Sequence, residues 1–206
     1  MNPWLSIEAE DYENHMSDSN VYQLQTLNSI MLSQISDYKP NSLAIFGIAT
    51  GNGLEYTEMM DIVYAIDIND KYLTTCKNRF ANRNNIKYLN LDIDNSILPF
   101  TNVDMAICNL VLEYIDYVGF IKKISSILNK NGILSIVYQN ELKYGFVSKT
   151  KYSEVFECLN SIYHNIDKKT VIETSKTSGL TVSKSLEYKL LNGKTFTRID
   201  LRKNNN

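Results

Sequence analysis

The stretch LAIFGIATGNGLE, residues 43–55, decides the fold of this chain. Its first residues, together with Ser42, form an apolar run that predicts a buried strand, and a turn with Gly47, Gly51 and Gly53 follows. A Cβ in such a turn would block either the tight bend or the approach of a ligand to the backbone. We predict a short helix over about 54–60, whose N-terminus would offer free N–H groups to an anion. The turn alone is also compatible with a bend that merely needs positive φ.

The same order of strand and helix continues along the chain. Apolar strands are predicted at 62–68, 86–91, 104–108 and 133–138, with helical apolar stripes between them at 72–80 and 117–128. Ahead of the quoted stretch, 24–35 has helical spacing and Pro40 closes the segment. Strands that alternate with helices in this way predict a parallel sheet covered on both faces.

The C-terminal third breaks this order. Helices are predicted at about 152–163 and 169–178, and two strand-like runs, 180–191 and 194–201, flank Asn192-Gly193. Asn-Gly between such runs is typical of a hairpin with a type I′ turn, in which both residues have positive φ. We therefore predict an α/β fold, a doubly wound three-layer sandwich whose mostly parallel seven-stranded sheet ends in an antiparallel hairpin. A plain dinucleotide-binding fold lacks this ending.

The composition narrows the classes of function. The chain has 206 residues, 44% hydrophobic content and a formal net charge of -2. The length and the hydrophobic content allow one sizeable core. The net charge shows no excess of positive charge that would indicate binding to nucleic acid or to an anionic membrane. No stretch approaches the roughly 20 apolar residues that span a bilayer. Cys76, Cys108 and Cys158 are far apart, so we predict no metal site and no disulfides, but buried, reduced thiols in a cytoplasmic protein.

An acidic residue sharpens the hypothesis of a nucleotide site. Asp67 ends the second predicted strand, where a carboxylate can accept hydrogen bonds from both hydroxyls of a ribose. The alternative role is a helix cap, which Asn69 and Asp70 also fit. The glycine-bearing turn and Asp67 together favour recognition of an adenosine.

Three further segments follow in order: Leu91-Asp92-Ile93, the run 104–114 that contains the fourth strand, and the run 127–134 that leads into the fifth. With the terminal hairpin they give residues 40–202 a resemblance to class I S-adenosylmethionine-dependent methyltransferases. The resemblance implies S-adenosyl-L-methionine as cofactor and Asp92 at its adenine amino group. It also implies that backbone at the end of the fourth strand receives the methionine part. The cofactor-binding residues expected from the turn and the resemblance are Gly47, Ile48, Ala49, Gly51, Asp67, Ile68, Asp92, Ile93, Asn109 and Leu110.

Two positions depart from the family pattern. The usual acid two positions before the first glycine is Ile45 here, which removes a water-mediated anchor for the ammonium of the cofactor. The second glycine is Ala49, which adds a methyl group at a crowded turn. These departures keep open a non-catalytic module that binds the cofactor or a partner protein. A nicotinamide-dependent dehydrogenase shares the first turn and Asp67, but neither the placement of Asp92 nor the hairpin.

The N-terminal segment has a resemblance of its own. Trp4-Leu5 and the run 11–16 resemble the lead-in of a group of small bacterial methyltransferases of unassigned substrate. This implies an N-terminal helical lid over residues 1–40, followed by one class I methyltransferase domain over 41–203. Lone aromatic residues near an N-terminus are equally compatible with simple packing.

Methyl transfer needs alignment of the reacting groups more than a catalytic triad, but a base can remove the acceptor's proton. The candidates for this role are His15 and Tyr12 on the lid, with Glu113 and Tyr114 after the fourth strand. His15 is equally compatible with a surface or capping role. We interpret His164 as structural.

The sequence after the fourth strand also bears on the substrate. It is Asn-Leu-Val-Leu, and not the Asn/Asp-Pro-Pro-Tyr/Phe motif of enzymes that methylate exocyclic amines of nucleic-acid bases or of glutamine. With the weak net charge, this favours methyl transfer to an O or N atom of a small molecule. We expect neither nucleic acid nor membrane as a partner, and a monomer or homodimer.

Overall fold

The computed structural model describes residues 2–140 and 145–205. The α-helices are α1 (Ala9–Ser17), α2 (Gln23–Tyr38), α3 (Asp70–Arg79), α4 (Tyr117–Ile127) and α5 (Lys168–Thr177). The strands are β1 (Ser42–Phe46), β2 (Ile62–Asp67), β3 (Ile86–Asn90), β4 (Val103–Asn109), β5 (Leu128–Gln139), β6 (Leu180–Lys189) and β7 (Thr195–Lys203). Helices of the 3-10 type lie at Pro3–Ser6, Leu54–Thr57, Leu112–Tyr114 and Ser153–Ser161. Within these two described ranges, no helix is long and apolar enough to cross a membrane.

The seven strands form one sheet in the order β3-β2-β1-β4-β5-β7-β6. Strands β1 to β5 pair in parallel, whereas β7 is antiparallel to both β5 and β6. This confirms the predicted mostly parallel sheet with an antiparallel end. The strand order reverses between β1 and β4, and in open α/β sheets a ligand crevice forms at the carboxyl ends of strands at such a point.

Strand β1 is buried on both faces because helices cover both sides of the sheet. Leu43 and Ile45 pack with residues of α2 and α3, while Ala44 and Phe46 pack with residues of α4 and α5. All four side chains are at most 3% exposed. The continuous apolar run that predicted this strand is therefore the sequence of a central parallel strand. Ile45, at the position of the family's usual acid, belongs to this apolar packing.

The short helix predicted over about 54–60 is present, but it is shorter than predicted and of the 3-10 type. Only a 3-10 helix, Leu54–Thr57, follows the glycine-bearing turn. Gly53 has φ +93° and the chain must enter β2 at Ile62, so little room remains for a longer helix. A single turn sums few peptide dipoles, and the argument that its N-terminus attracts an anion fails with it.

The helix predicted at 152–163 is also of the 3-10 type, Ser153–Ser161. Its buried residues Phe156 and Leu159 are three positions apart, which is the 3-10 repeat. This helix carries Cys158, which is exposed and not buried as predicted, because it lies off that stripe. All three cysteines are free, and the other two are buried.

Strand β5 begins earlier than predicted. The helical stripe was expected to include Leu128, but α4 ends at Ile127 and Leu128 already pairs with Val103 of β4. The pairing then moves from this pair to Met105 with Ile133. Residues Asn131 and Gly132, just before the predicted start of the strand, therefore form an irregularity inside β5, with φ +62° at Asn131.

The predicted hairpin between β6 and β7 is confirmed, but its turn is not of type I′. Of the two predicted turn residues, only Gly193 has positive φ, at +85°. Leu190 O accepts a hydrogen bond from Gly193 N at 3.0 Å, and Leu190 N donates to Lys194 O at 2.8 Å. These bonds enclose three residues, as in a type I turn that ends in a glycine bulge.

A buried ion pair attaches α2 to the antiparallel end of the sheet. Arg198 and Asp200 of β7 are both fully buried, with 2.6 Å between Arg198 Nη2 and Asp200 Oδ2. Arg198 Nη2 also lies 2.8 Å from Asp37 Oδ2 on α2. Removal of one partner from a buried pair leaves an uncompensated charge. These three side chains therefore fix the position of α2 relative to β7.

We expect Asp200→Ala to lower the free energy of unfolding by about 3–5 kcal/mol, because Arg198 keeps its charge in a buried position. The matched control is Lys184→Ala, which removes a partly exposed contact with Asp37 and costs less than about 1 kcal/mol. Urea unfolding of both variants measures the two losses. Equal losses would show that the burial of the Arg198 charge does not matter.

Candidate functional site

A cavity of about 140 Å³ lies at the carboxyl ends of β1, β2 and β4. Four segments line it at this edge: the turn after β1, the end of β2, the loop after β3 and the chain after β4. Residues of the N-terminal segment and of the stretch 146–163 also line it. Because the carboxyl ends of parallel strands meet at one edge of a sheet, residues distant in sequence come together here.

The turn after β1 contributes Gly47 and Ala49 to the cavity. Both have positive φ, +72° and +50°, and a Cβ on Gly47 would lie 2.2 Å from a methyl carbon of Val111. The left-handed conformation costs Ala49 roughly 1–2 kcal/mol. The structure does not bring the other two predicted residues of this turn, Ile48 and Gly51, to the cavity. Ile48 is buried in the apolar core, and a Cβ on Gly51 would meet the side chains of α3.

Asp67 lies at the end of β2, lines the cavity and is only 7% exposed. Its Oδ2 accepts a hydrogen bond from Ala49 N at 2.8 Å, and its Oδ1 accepts one from Asn69 N at 2.9 Å. Burial raises the pKa of Asp67 to about 6, although these hydrogen bonds oppose the rise. The cap of α3 is Asn69, whose side chain accepts from Lys71 N at 3.0 Å. Asp67 is therefore free of the capping role, and its oxygens retain lone pairs for a ligand.

The loop after β3 contributes Asp92 and Ile93, which both line the cavity. Strand β3 ends at Asn90, so Asp92 lies two residues beyond the strand end at which it was expected. Asp92 Oδ1 accepts from Asp94 N at 3.1 Å, and its Oδ2 accepts from Asn95 Nδ2 at 2.8 Å. The carboxylate of Asp92 thus shapes its own loop, as acidic side chains do in such turns.

Asn109 at the end of β4 and Leu110 directly after it line the cavity. Ile68 lines it next to Asp67. Two hydrogen bonds of 3.0 Å join the side chains of Asn109 and Gln34 of α2. Leu110 has φ +56°, an unfavourable conformation for a side chain of this size. Such backbone strain occurs most often at functional sites.

The N-terminal segment lies against the same loops. Asn69 Nδ2 donates to Trp4 O at 3.0 Å. Glu13 of α1 accepts a hydrogen bond from Thr50 Oγ1 in the turn after β1, and its Oε2 lies 2.8 Å from Arg79 Nη2 of α3. The hydrogen bond from Arg79 lowers the pKa of Glu13. The residues of this segment that line the cavity are Asn2, Trp4, Tyr12, His15, Met16, Gln23 and Leu27.

Residues 46–136 match a family model described as a methyltransferase domain. The match covers less than half of the chain. It runs from the end of β1 into β5 and contains Asp67, Asp92 and Glu113. The resemblance to class I methyltransferases that the sequence predicted is thereby confirmed. No curated protein matches the chain significantly.

Solved structures show how widely the fold is shared. Magnesium protoporphyrin IX methyltransferase from Synechocystis PCC 6803, with bound S-adenosylmethionine, is 11% identical with a TM-score of 0.71, over 98% of this chain and 94% of that one. N-methyltransferase NodS from Bradyrhizobium japonicum WM9, in complex with S-adenosylhomocysteine, is 14% identical with a TM-score of 0.70, over 98% and 99%. The [4+2]-cyclase SpnF is 10% identical with a TM-score of 0.67, over 87% and 80%. The fold is therefore shared with a protein named for a different reaction.

Among the four candidate bases, Glu113 has an unusual environment. It lines the cavity, is 2% exposed, and its Oε1 accepts a hydrogen bond from Gln139 N at 2.6 Å. Its Oε2 is buried and has no hydrogen-bond partner among the described residues. Burial raises the pKa of Glu113 to about 7. A base with such a pKa can both accept and release a proton near neutral pH.

The other three candidates are weaker bases or acids at neutral pH, although all line the cavity. Burial and, to a smaller extent, nearby Lys194 lower the pKa of His15 to about 4, so the ring is a weak base. Burial also raises the pKa values of Tyr12 and Tyr114 well above the usual value, so both keep their protons. The remaining histidine, His164, stacks on Tyr117 and does not line the cavity.

Sequence reasoning missed part of the lining. Tyr72 was predicted as part of an inner helix stripe, yet it lines the cavity and its buried hydroxyl has no partner among the described residues. Gln139 and Phe146 were not singled out, because polar residues at strand ends and single aromatic residues in loops carry no periodic signal. Phe146 O accepts hydrogen bonds from both Gln139 Nε2 and Lys194 Nζ. No group of three or more metal-binding side chains occurs in the part of the chain that is described.

The buried carboxyl of Glu113 should make stability depend on pH. Its pKa in the folded protein, about 7, lies above its usual value of 4.5. The stabilisation that the protonated carboxyl provides is therefore fully present below pH 4.5 and is lost as the pH rises through 7. We therefore expect the stability of Glu113→Gln relative to wild type to increase by about 2–3 kcal/mol of unfolding free energy from pH 5 to pH 8. Urea unfolding at both pH values measures this, with the exposed Glu157→Gln as control. A gap between variant and wild type that does not change with pH would contradict the assignment.

Proposed function

We propose that this protein is an S-adenosylmethionine-dependent methyltransferase that transfers a methyl group to an O or N atom of a small molecule. The observation that carries the proposal is the buried carboxylate of Asp67, which lines the cavity beside the backbone of Gly47 and Ala49. The family match over residues 46–136 supports it. A cytoplasmic location and a monomeric or homodimeric state remain predictions from the sequence.

The residues around the cavity fit the proposed cofactor. The lone pairs that Asp67 retains suit the two hydroxyl donors of a ribose. The hydroxyl of Tyr72, which has no partner among the described residues, offers a donor or acceptor close by, since the Tyr72 and Tyr12 rings lie 5.5 Å apart beside the same cavity. Asp92 and Ile93 would lie along the adenine. Gly47, beside Val111, leaves space that a Cβ would fill.

The cofactor, when bound, supplies a methyl group that is already activated on a sulfonium. The chain's own residues would then bind the cofactor and the methyl acceptor, orient them relative to each other and exclude water. Trp4 and Tyr12 line the cavity from the N-terminal segment, and the contact of Glu13 with Thr50 and Arg79 holds that segment against the turn after β1. Glu113 is the group best suited to hold the proton that the acceptor gives up.

A non-catalytic module of the same fold is the second candidate. It is favoured by Ile45, which lies in the apolar core where the family's usual acid would be. Release of S-adenosylhomocysteine during incubation with candidate metabolites separates the two, because a binding module releases none.

We expect calorimetry to show binding of S-adenosylmethionine and S-adenosylhomocysteine and little binding of NAD. Asp67→Ala should weaken binding of S-adenosylhomocysteine by about 1–3 kcal/mol, because two hydrogen bonds to a charged group are lost. The control is Asp70→Ala, an exposed carboxylate three residues away that should leave affinity unchanged. Preference for NAD would overturn the methyltransferase proposal, and an unchanged affinity of Asp67→Ala would show that the ribose lies elsewhere.

The N-terminal segment gives a kinetic prediction. Glu13→Ala removes the contacts with Thr50 and Arg79, so S-adenosylhomocysteine should dissociate about five times faster, equivalent to roughly 1 kcal/mol. Stopped-flow displacement measures the rate. The control Glu8→Ala removes the ion pair with Lys71, in which both side chains are more than half exposed, and should change the rate less than about twofold. Equal rates in both variants would exclude a lid held by Glu13.

A further inference from the structure

One part of the cavity is walled by aromatic rings. We call it the aromatic chamber, and its rings are those of Trp4, Tyr12, Tyr114, Phe146 and Tyr163. The ring centroids of Trp4 and Tyr114 lie 5.1 Å apart, and those of Phe146 and Tyr163 lie 4.0 Å apart. Tyr114 joins the two pairs, because its centroid lies 5.9 Å from that of Tyr163. The chamber draws its rings from three regions of the chain and therefore exists only in the folded protein.

A carboxylate lies beside these rings. Glu113 precedes Tyr114 in the chain and lines the same cavity. Its Oε1 accepts a hydrogen bond from Gln139 N, whereas its Oε2 is buried without a partner among residues 2–140 and 145–205. None of the ion pairs among the described residues involves Glu113. An unpaired carboxylate in an apolar environment is costly, and a ligand that brings a hydrogen-bond donor would offset this cost.

Three kinds of acceptor can be compared at this site. An alcohol would donate one hydrogen bond to Glu113 Oε2 but bring no charge. A carboxylate would be repelled. An ammonium would donate a hydrogen bond, neutralise the carboxylate and interact favourably with aromatic rings.

We propose that the methyl acceptor is an amine, bound in its ammonium form by Glu113 Oε2 within the aromatic chamber. This inference rests on the proposed function, since it assigns the acceptor of the same site. It narrows the choice between O and N to nitrogen, and it makes Glu113 a specificity-determining residue.

The proposed reaction begins with a proton transfer and ends with methyl transfer. Glu113 Oε2 takes one proton from R–NH3+, which leaves R–NH2 with a lone pair and Glu113 neutral. The lone pair forms the N–C bond to the donor methyl carbon, with the C–S bond broken and its electron pair left on sulfur. The products are R–NH2+–CH3 and a neutral thioether, and the proton on Glu113 passes to solvent after release.

The test measures binding to the full chain saturated with S-adenosylhomocysteine, by calorimetry. The probes are two matched pairs, 2-phenylethylamine with 2-phenylethanol and hexylamine with hexanol. We expect each amine to bind at least about tenfold more tightly than its alcohol. In Glu113→Gln this preference should fall to within about threefold, while Glu157→Gln keeps it. Release of S-adenosylhomocysteine from S-adenosylmethionine in the presence of each amine is the second measurement.

The outcomes separate this inference from the proposed function. If S-adenosylhomocysteine binds but no amine is preferred over its alcohol in wild type, the amine assignment is overturned and the methyltransferase proposal stands. If S-adenosylhomocysteine itself does not bind, the proposed function fails. Should Glu113→Gln weaken S-adenosylmethionine more than S-adenosylhomocysteine and leave the amine preference intact, Glu113 pairs with the sulfonium and the inference is wrong. The wild-type comparison decides even if the variant does not fold.

Discussion

The carboxylate of Asp67 accepts hydrogen bonds from Ala49 in the turn after β1 and from Asn69 at the start of α3. It therefore joins two loops that leave adjacent parallel strands, and the carboxyl edge of the sheet takes its shape from this junction. Asp67 is buried at this junction, and burial of the carboxylate raises its pKa to about 6 although the hydrogen bonds oppose the rise. Asn69 in turn binds the backbone of Trp4, so the N-terminal segment depends on the same junction.

A second buried carboxylate, Glu113, shows how stability and function oppose each other in this site. Its Oε1 is satisfied by the backbone of Gln139, but its Oε2 is not satisfied by any described residue. A structure selected only for stability would replace such a group by an apolar or neutral side chain. An unsatisfied carboxylate that lines a cavity is instead typical of a binding or catalytic group, whose partner arrives with the ligand.

Much of the fold could be predicted because periodicity reports burial. The stripe of α3 follows from the helical repeat of about 3.6 residues, and the continuous apolar run of β1 follows from burial on both faces of the sheet. Local geometry was less predictable. The helix expected after Gly53 is a single 3-10 turn, and the turn at Gly193 is not of type I′, because both depend on where the next strand must begin. The conformational propensities of single residues carry no information about where the next strand begins.

The sequence by itself determined the order of strands and helices, the antiparallel end of the sheet, and the presence of Asp67 and Asp92 near one edge. Only the tertiary structure decided which candidates share a cavity. It placed Gly51 against α3, brought Tyr72 and Phe146 to the site, and left one oxygen of Glu113 without a partner in the described part of the chain. The physical reason is that periodicity fixes which face of an element is buried, whereas burial, hydrogen bonding and pKa at a site depend on contacts between residues far apart in the chain.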